Sequence, residues 1–128
     1  MKDDRLYLHH MLGRCHRITR FVGPGREAFM ASDELQDAVI RNVEVIGEAA
    51  KRVSTEARGR LAVLDWKAIC GMRDVLIHDY IGVDLDEVWN VASFRIPELQ
   101  AVLEQFLAGG ESASPAGSMT SAPATTCQ

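Results

Sequence analysis

Several features that would settle function at a glance are missing from this sequence. No apolar run approaches the roughly 20 residues that a bilayer-spanning helix needs. The opening Met1-Lys2-Asp3-Asp4-Arg5 has no apolar core of a secretory signal. Both absences point to a cytoplasmic protein with no membrane partner. The three cysteines, Cys15, Cys70 and Cys127, are widely spaced. None forms a CxxC pair, and an odd number cannot close a disulfide framework, so reduced and mostly buried thiols are expected. A net charge of −4 argues against a protein that grips nucleic acid by bulk positive charge. His9 and His10 are adjacent and would point about 100° apart on a helix, whereas metal ligands on a helix need i, i+4 spacing. No metal site and no cofactor are expected. The chain also lacks internal repeats and strand-like alternation of useful length.

What is present is an ordinary globular composition, 47% hydrophobic and 25% charged over 128 residues, sized for one domain with a modest core. Its charge is unevenly spread. From Arg5 to Arg26 there are five arginines and no acid, and from Asp84 to Glu111 six acids and one arginine, Arg95. Such asymmetry can offer a local anion-binding face despite the acidic total.

Helical periodicity recurs along the chain. Leu6, Leu8, Met11, Cys15, Ile18 and Val22 predict a helix over residues 4–21, with Arg14, Arg17 and Arg20 on its polar side and Gly23-Pro24-Gly25 as its stop. Ser32 is a suitable N-cap for a second helix reaching about Val53, with Asp33 and Glu34 at the positive end of its dipole. Gly47, inside that helix, is either a tolerated glycine or the mark of a close helix crossing. Asp65 is a suitable N-cap for a third helix from Trp66 to about Tyr80. A fourth is expected to start after Asp84 or Asp86 and run to about Leu107, with a kink or break near Arg95 caused by Pro97. From Gly109 to Gln128 the residues are small, polar or proline, and a disordered tail is expected. The expected architecture is all-α, an antiparallel four- to five-helix bundle over residues 1–108 with a tail over 109–128.

Chemistry concentrates in Arg73-Asp74-Val75-Leu76-Ile77-His78-Asp79-Tyr80. If this stretch closes the third helix, Asp74 and His78 stand four apart on one face and can meet. A carboxylate there would orient the imidazole and favour its charged form. Arg73 would lie about 140° round the axis from His78, a gap that a second protomer can help to close. A histidine can move a proton near neutral pH, and a guanidinium fork can hold a phosphate and stabilise developing charge. With a ribose 2′-hydroxyl as nucleophile, those parts suffice for RNA cleavage without a metal. The lack of a carboxylate cluster or a Cys/His ligand set fits that route. The bland alternative is a helix-ending histidine that acts as a cationic cap, beside a solvated Arg–Asp pair.

Arg73 through His78 matches the R-x4-H pattern of HEPN ribonuclease domains, and with Tyr80 it resembles the R-x4-H-x-Y signature of HepT-like toxins. The resemblance extends to Gln36–Arg41, Ile46–Arg52, Asp65–Ile69, Ile77–Asp84, Val88-Trp89 and Pro97–Leu99, and covers about residues 3 to 107. It implies an all-α HEPN bundle, a homodimer with its motifs at the dimer cleft, and a toxin that cleaves RNA. It also implies a cognate MntA-type minimal nucleotidyltransferase antitoxin that silences the toxin by AMP addition. Carried over residue by residue, Arg73 and His78 are catalytic, Asp74 is supporting and Tyr80 is the AMPylation target. Two departures are the tail after Gly109 and the absence of a proline often found before the motif tryptophan, here Trp66. A non-catalytic helical partner, or a substrate-binding subunit of a nucleotidyltransferase, is the alternative class. It is favoured by the acidic charge and disfavoured by the intact Arg73, His78 and Tyr80.

Overall fold

A computed structural model describes residues 2–72, 74, 77–79 and 82–109. In chain order these form α1 (Lys2–Val22), α2 (Arg26–Met30), α3 (Asp33–Lys51), α4 (Thr55–Arg60), α5 (Trp66–Cys70), the strands β1 (Ile77–Asp79) and β2 (Gly82–Val83), α6 (Leu85–Asn90), a π-helical turn (Val91–Arg95) and α7 (Ile96–Leu107). The fold is helical apart from the short β1–β2 ribbon, in agreement with the expected helical class. None of the helices is long and apolar enough to cross a membrane among the described residues.

The central element is α1, which packs against α3 on one side and α7 on another. Its apolar stripe seats Leu8, Met11, Cys15 and Ile18 in the core. Facing them are Val39, Val43 and Ile46 of α3 and Ile96, Leu99 and Leu103 of α7. Leu6, predicted to share that stripe, is instead 63% exposed. Polar pairs zip α1 to α7 at the rim, where His16 Nε2 meets Glu104 Oε2 at 2.9 Å and Thr19 Oγ1 donates to Gln100 Oε1 at 2.9 Å. Further along, Arg5 Nη2 donates to the Leu107 carbonyl at 3.3 Å.

The predicted caps are present. Ser32 Oγ accepts from the Leu35 amide at 3.1 Å, Asp65 Oδ1 from Ala68 at 3.0 Å and Asp84 Oδ1 from Glu87 at 3.1 Å. Ser54 caps α4 by accepting from the Ala57 amide at 3.1 Å, and its own hydroxyl donates to buried Asp4 Oδ2 at 2.7 Å. The break foreseen near Arg95 takes the form of the π-helical turn, in which the Ile96 amide reaches the Val91 carbonyl five residues back. Pro97 then sits in the first turn of α7, where its missing N–H costs nothing.

Gly47 marks a close crossing. A Cβ built on it would lie 3.4 Å from the Cys70 carbonyl oxygen and 3.5 Å from that of Ile69, so the end of α5 rests directly on the backbone of α3. Two expectations need correction. Helix α5 ends at Cys70, with Gly71 as its C-cap, rather than running to Tyr80, because Gly71 interrupts the helix and the β-branched Ile77 and Val83 favour extended backbone. Cys70 is disulfide-bonded, so reduced thiols throughout do not hold; Cys15 is free and buried. The expected tail falls, beyond Gly109, outside the described residues.

Candidate functional site

The segment carrying the motif is held from its N-terminal side. Trp66, at the start of α5, is buried and its Nε1 donates to the Leu61 carbonyl at 3.1 Å. Arg58 lies over the Trp66 ring with its guanidinium carbon 5.6 Å from the ring centre. The Arg58 Nη2 donates to the Ala50 carbonyl at 3.2 Å. One buried cation thus ties the end of α3 to the tryptophan that starts α5. A planar guanidinium both stacks and donates, and lysine cannot do both.

Of the residues singled out in the sequence, Arg73 and Tyr80 lie outside the described residues. Asp74 is exposed, and its amide donates to the Gly71 carbonyl at 3.0 Å. His78 is described by its backbone, in the middle of β1, where Ile77 pairs with Val83 and Asp79 with Gly82. The chain from Asp74 to His78 is therefore not one unbroken α-helix. Neither the shared helical face of Asp74 and His78 nor the angular gap between Arg73 and His78 follows from helix geometry any longer.

A groove of about 370 Å³ runs beside the start of this segment, lined by Asp65, Lys67, Gly71, Met72, Glu87 and Arg95 among others. A second hollow of about 170 Å³ shares Asp65, Ala68, Met72 and Arg95 with it and continues toward Leu99. The π-helical turn supplies Arg95, and Phe94 beside it is 64% exposed. Sequence reasoning had Arg95 as the lone base of an acidic stretch and the place of a kink, without assigning it to a site. The signal that could have found it was Pro97, since a widened turn re-aims the residues just before a proline. Among the described residues no group of three His, Cys, Asp or Glu side chains is placed to hold a metal ion.

A second concave region lies between α1 and α3, lined by Tyr7, His10, Arg14, Arg41, Glu48 and Arg52 among others, with about 360 Å³ of space. Arg14 Nη1 donates to Asn42 Oδ1 at 3.1 Å, and Asn42 Nδ2 donates to the Ala38 carbonyl at 2.7 Å. Burial, together with the charges of Arg17 and Arg41, lowers the pKa of Arg14 below the usual arginine value. Sequence reasoning picked Arg14, Arg17 and Arg20 as one stripe but missed Arg41 and Arg52. The available clue was Asn42, a polar residue inside the apolar stripe of Val39, Val43 and Ile46.

Comparison with known proteins places this geometry in context. The family model described as HepT-like, "Ribonuclease HepT-like", matches residues 11–106. "Putative RNase TTE0752" of Caldanaerobacter subterraneus subsp. tengcongensis is 40% identical over 108 residues, covering 84% of this chain and 96% of that protein. "Putative RNase MJ0125" of Methanocaldococcus jannaschii is 36% identical over 83% of this chain and 92% of its own length. "Probable ribonuclease HepT" of Thermococcus cleftensis is 37% identical over 62% of this chain and 72% of its own length. No solved structure matches significantly.

Proposed function

The chain belongs to the HepT-like ribonuclease family, and on that premise we propose that it is a metal-independent endoribonuclease acting as the toxin of a toxin–antitoxin pair. The observation that carries this reading is that the family match over residues 11–106 spans Arg73, His78 and Tyr80 at R-x4-H-x-Y spacing. His78 takes the proton of a ribose 2′-hydroxyl, and the freed oxygen attacks the adjacent phosphorus. Arg73 stabilises the charge that builds on the phosphoryl oxygens. The bond from phosphorus to the 5′-oxygen breaks, leaving a 2′,3′-cyclic phosphate and a 5′-hydroxyl. The departing oxygen takes a proton from solvent, and His78 releases the one it accepted. Asp74 supports the motif, and a second copy of the chain completes the cleft in a homodimer.

In the same reading Tyr80 is the point of control. A nucleotidyltransferase partner transfers AMP from a nucleoside triphosphate to its phenol, which gives up its proton as pyrophosphate leaves. The added phosphate pairs with Arg73 where an RNA phosphate would otherwise sit. The test uses total RNA with EDTA present. Cleavage is expected to persist, to leave 2′,3′-cyclic phosphate ends, and to fall by about 10²–10⁴-fold in His78→Ala. Cleavage that stops with EDTA, or that survives His78→Ala unchanged, sinks the mechanism. Co-expression with the nucleotidyltransferase is expected to add AMP to the Tyr80 peptide and lower cleavage together. Silencing of Tyr80→Phe through modification elsewhere would refute the assignment.

A further inference from the structure

The groove between α1 and α3 stands apart from the motif-bearing segment. At about 100° per residue, Arg41, Glu48 and Arg52 lie roughly 100–140° round α3 from Gly47, the residue that meets α5. We propose that this groove is a binding site for the phosphate backbone of single-stranded RNA, a second hold on the substrate remote from the point of cleavage. The proposal rests on the ribonuclease reading above for the identity of its ligand.

Three arginines, Arg14, Arg41 and Arg52, line the one hollow, and Glu48 is the acid among its lining residues. Glu48 is partly engaged, with Lys51 Nζ 3.7 Å from its Oε2. Among the described residues Arg41 has only a loose contact, 3.6 Å to Glu44 Oε1, and is itself mostly exposed. Like charges gathered this way repel unless an anion joins them. The cluster is built rather than incidental, because Arg14 is fixed by Asn42, which is only 4% exposed and anchored on the Ala38 carbonyl. A buried amide whose oxygen is spent on holding one surface guanidinium fixes the direction of that cation in advance, and a pre-set fork suits a phosphate oxygen pair. Tyr7 and His10 line the same wall. Guanidinium groups interleaved with rings are what a single strand offers its phosphates and bases to. An acidic protein surface would use the cations but has no need of the rings.

The experiment measures binding of a labelled single-stranded RNA oligonucleotide by fluorescence anisotropy across a salt series, in a His78→Ala background so that the probe stays whole. Arg41→Gln/Arg52→Gln is expected to weaken binding by at least about tenfold and to reduce the slope of log K against log salt by about 1.4, since each phosphate contact on a single strand carries about 0.7. Arg26→Gln/Arg60→Gln removes the same charge elsewhere and is expected to leave that slope in place. An equal fall in both double variants means bulk charge alone, and no fall in the groove variant means no site; either overturns the proposal. So does a groove variant that keeps RNA binding while losing affinity for polyglutamate. Thermal melting of each variant excludes unfolding as the cause. If the unsubstituted protein binds RNA through the groove but cuts none, the ribonuclease reading fails and the groove stands. If it cuts RNA while the groove variant binds as before, the reverse holds.

Discussion

Two single residues lend themselves to direct measurement. Asp4 is 7% exposed, and its carboxylate accepts from the Ser54 amide at 2.8 Å and the Ser54 hydroxyl at 2.7 Å. Burial pushes its pKa up, but these hydrogen bonds, together with the amino-terminal charge, outweigh burial and hold it below the ordinary value. A depressed folded pKa means stability that is fully present above the unfolded value of about 3.9 and lost as pH falls through the folded one. Asp4→Asn is therefore expected to cost about 1.5–3 kcal/mol at pH 7. The gap in melting temperature from the unsubstituted protein should narrow below about pH 4. Denaturation curves at both pH values check it. Cys15 behaves oppositely. Burial, with the Glu104 carboxylate nearby, pushes its thiol up to about 12. Since the thiolate is the reactive form, Cys15 is expected to escape alkylation in the native protein at pH 8 and to react once denatured, as peptide mapping will show.

At the scale of elements, the α3–α5 crossing is the joint on which the motif-bearing segment depends. The spacing at Gly47 sits at the edge of ordinary contact. Alanine there gains about 1 kcal/mol of helix propensity against slight crowding, so Gly47→Ala is expected to leave the melting temperature unchanged or a little higher. Gly47→Leu drives side-chain atoms into the backbone carbonyls of Ile69 and Cys70, which cannot rotate away. It is expected to cost more than about 2 kcal/mol and to reduce RNA cleavage with it. The glycine was visible in the sequence, but which helix it met was not, because a crossing partner leaves no mark on local pattern. The long helices were legible from Leu8, Met11, Cys15 and Ile18 and from the stripe of Val88, Ala92, Ile96 and Leu99. So were the caps at Ser32, Asp65 and Asp84, since a short side chain ahead of an apolar run has one common use. The short α2 carries too few residues for periodicity to register. The ribbon at Ile77–Asp79 was mistaken for helix because Met72, Val75 and Leu76 also fit a helical stripe; a short apolar run cannot discriminate the two. The candidate site was legible as residue types in order, while the grooves beside it, formed by side chains far apart in sequence, were not.

For the whole molecule, two expectations concern its limits. Truncation after Gly109 keeps the amides of Ala108 and Gly109 that close α7 on the Glu104 and Phe106 carbonyls. With a reductant present in both samples, so that the Cys70 disulfide plays no part, it is expected to leave thermal stability nearly unchanged, because residues after it are too poor in apolar surface to offset an ordering cost of about 1–2 kcal/mol each; a fall of several degrees would show otherwise. Light scattering at micromolar concentration is expected to report a dimer, and a monomer would remove the completed cleft from the mechanism. The bond from Arg5 to the Leu107 carbonyl spans 102 residues of sequence, and it carries a meaning in time. At about 5–20 residues per second of synthesis, α1 waits roughly 5–20 s for the helix against which it is to lie. Until α7 emerges from the ribosome, one flank of α1 has no neighbour and the bundle cannot close. A bundle assembled in this order is withheld, by the connectivity of its own chain, until α7 has been synthesised.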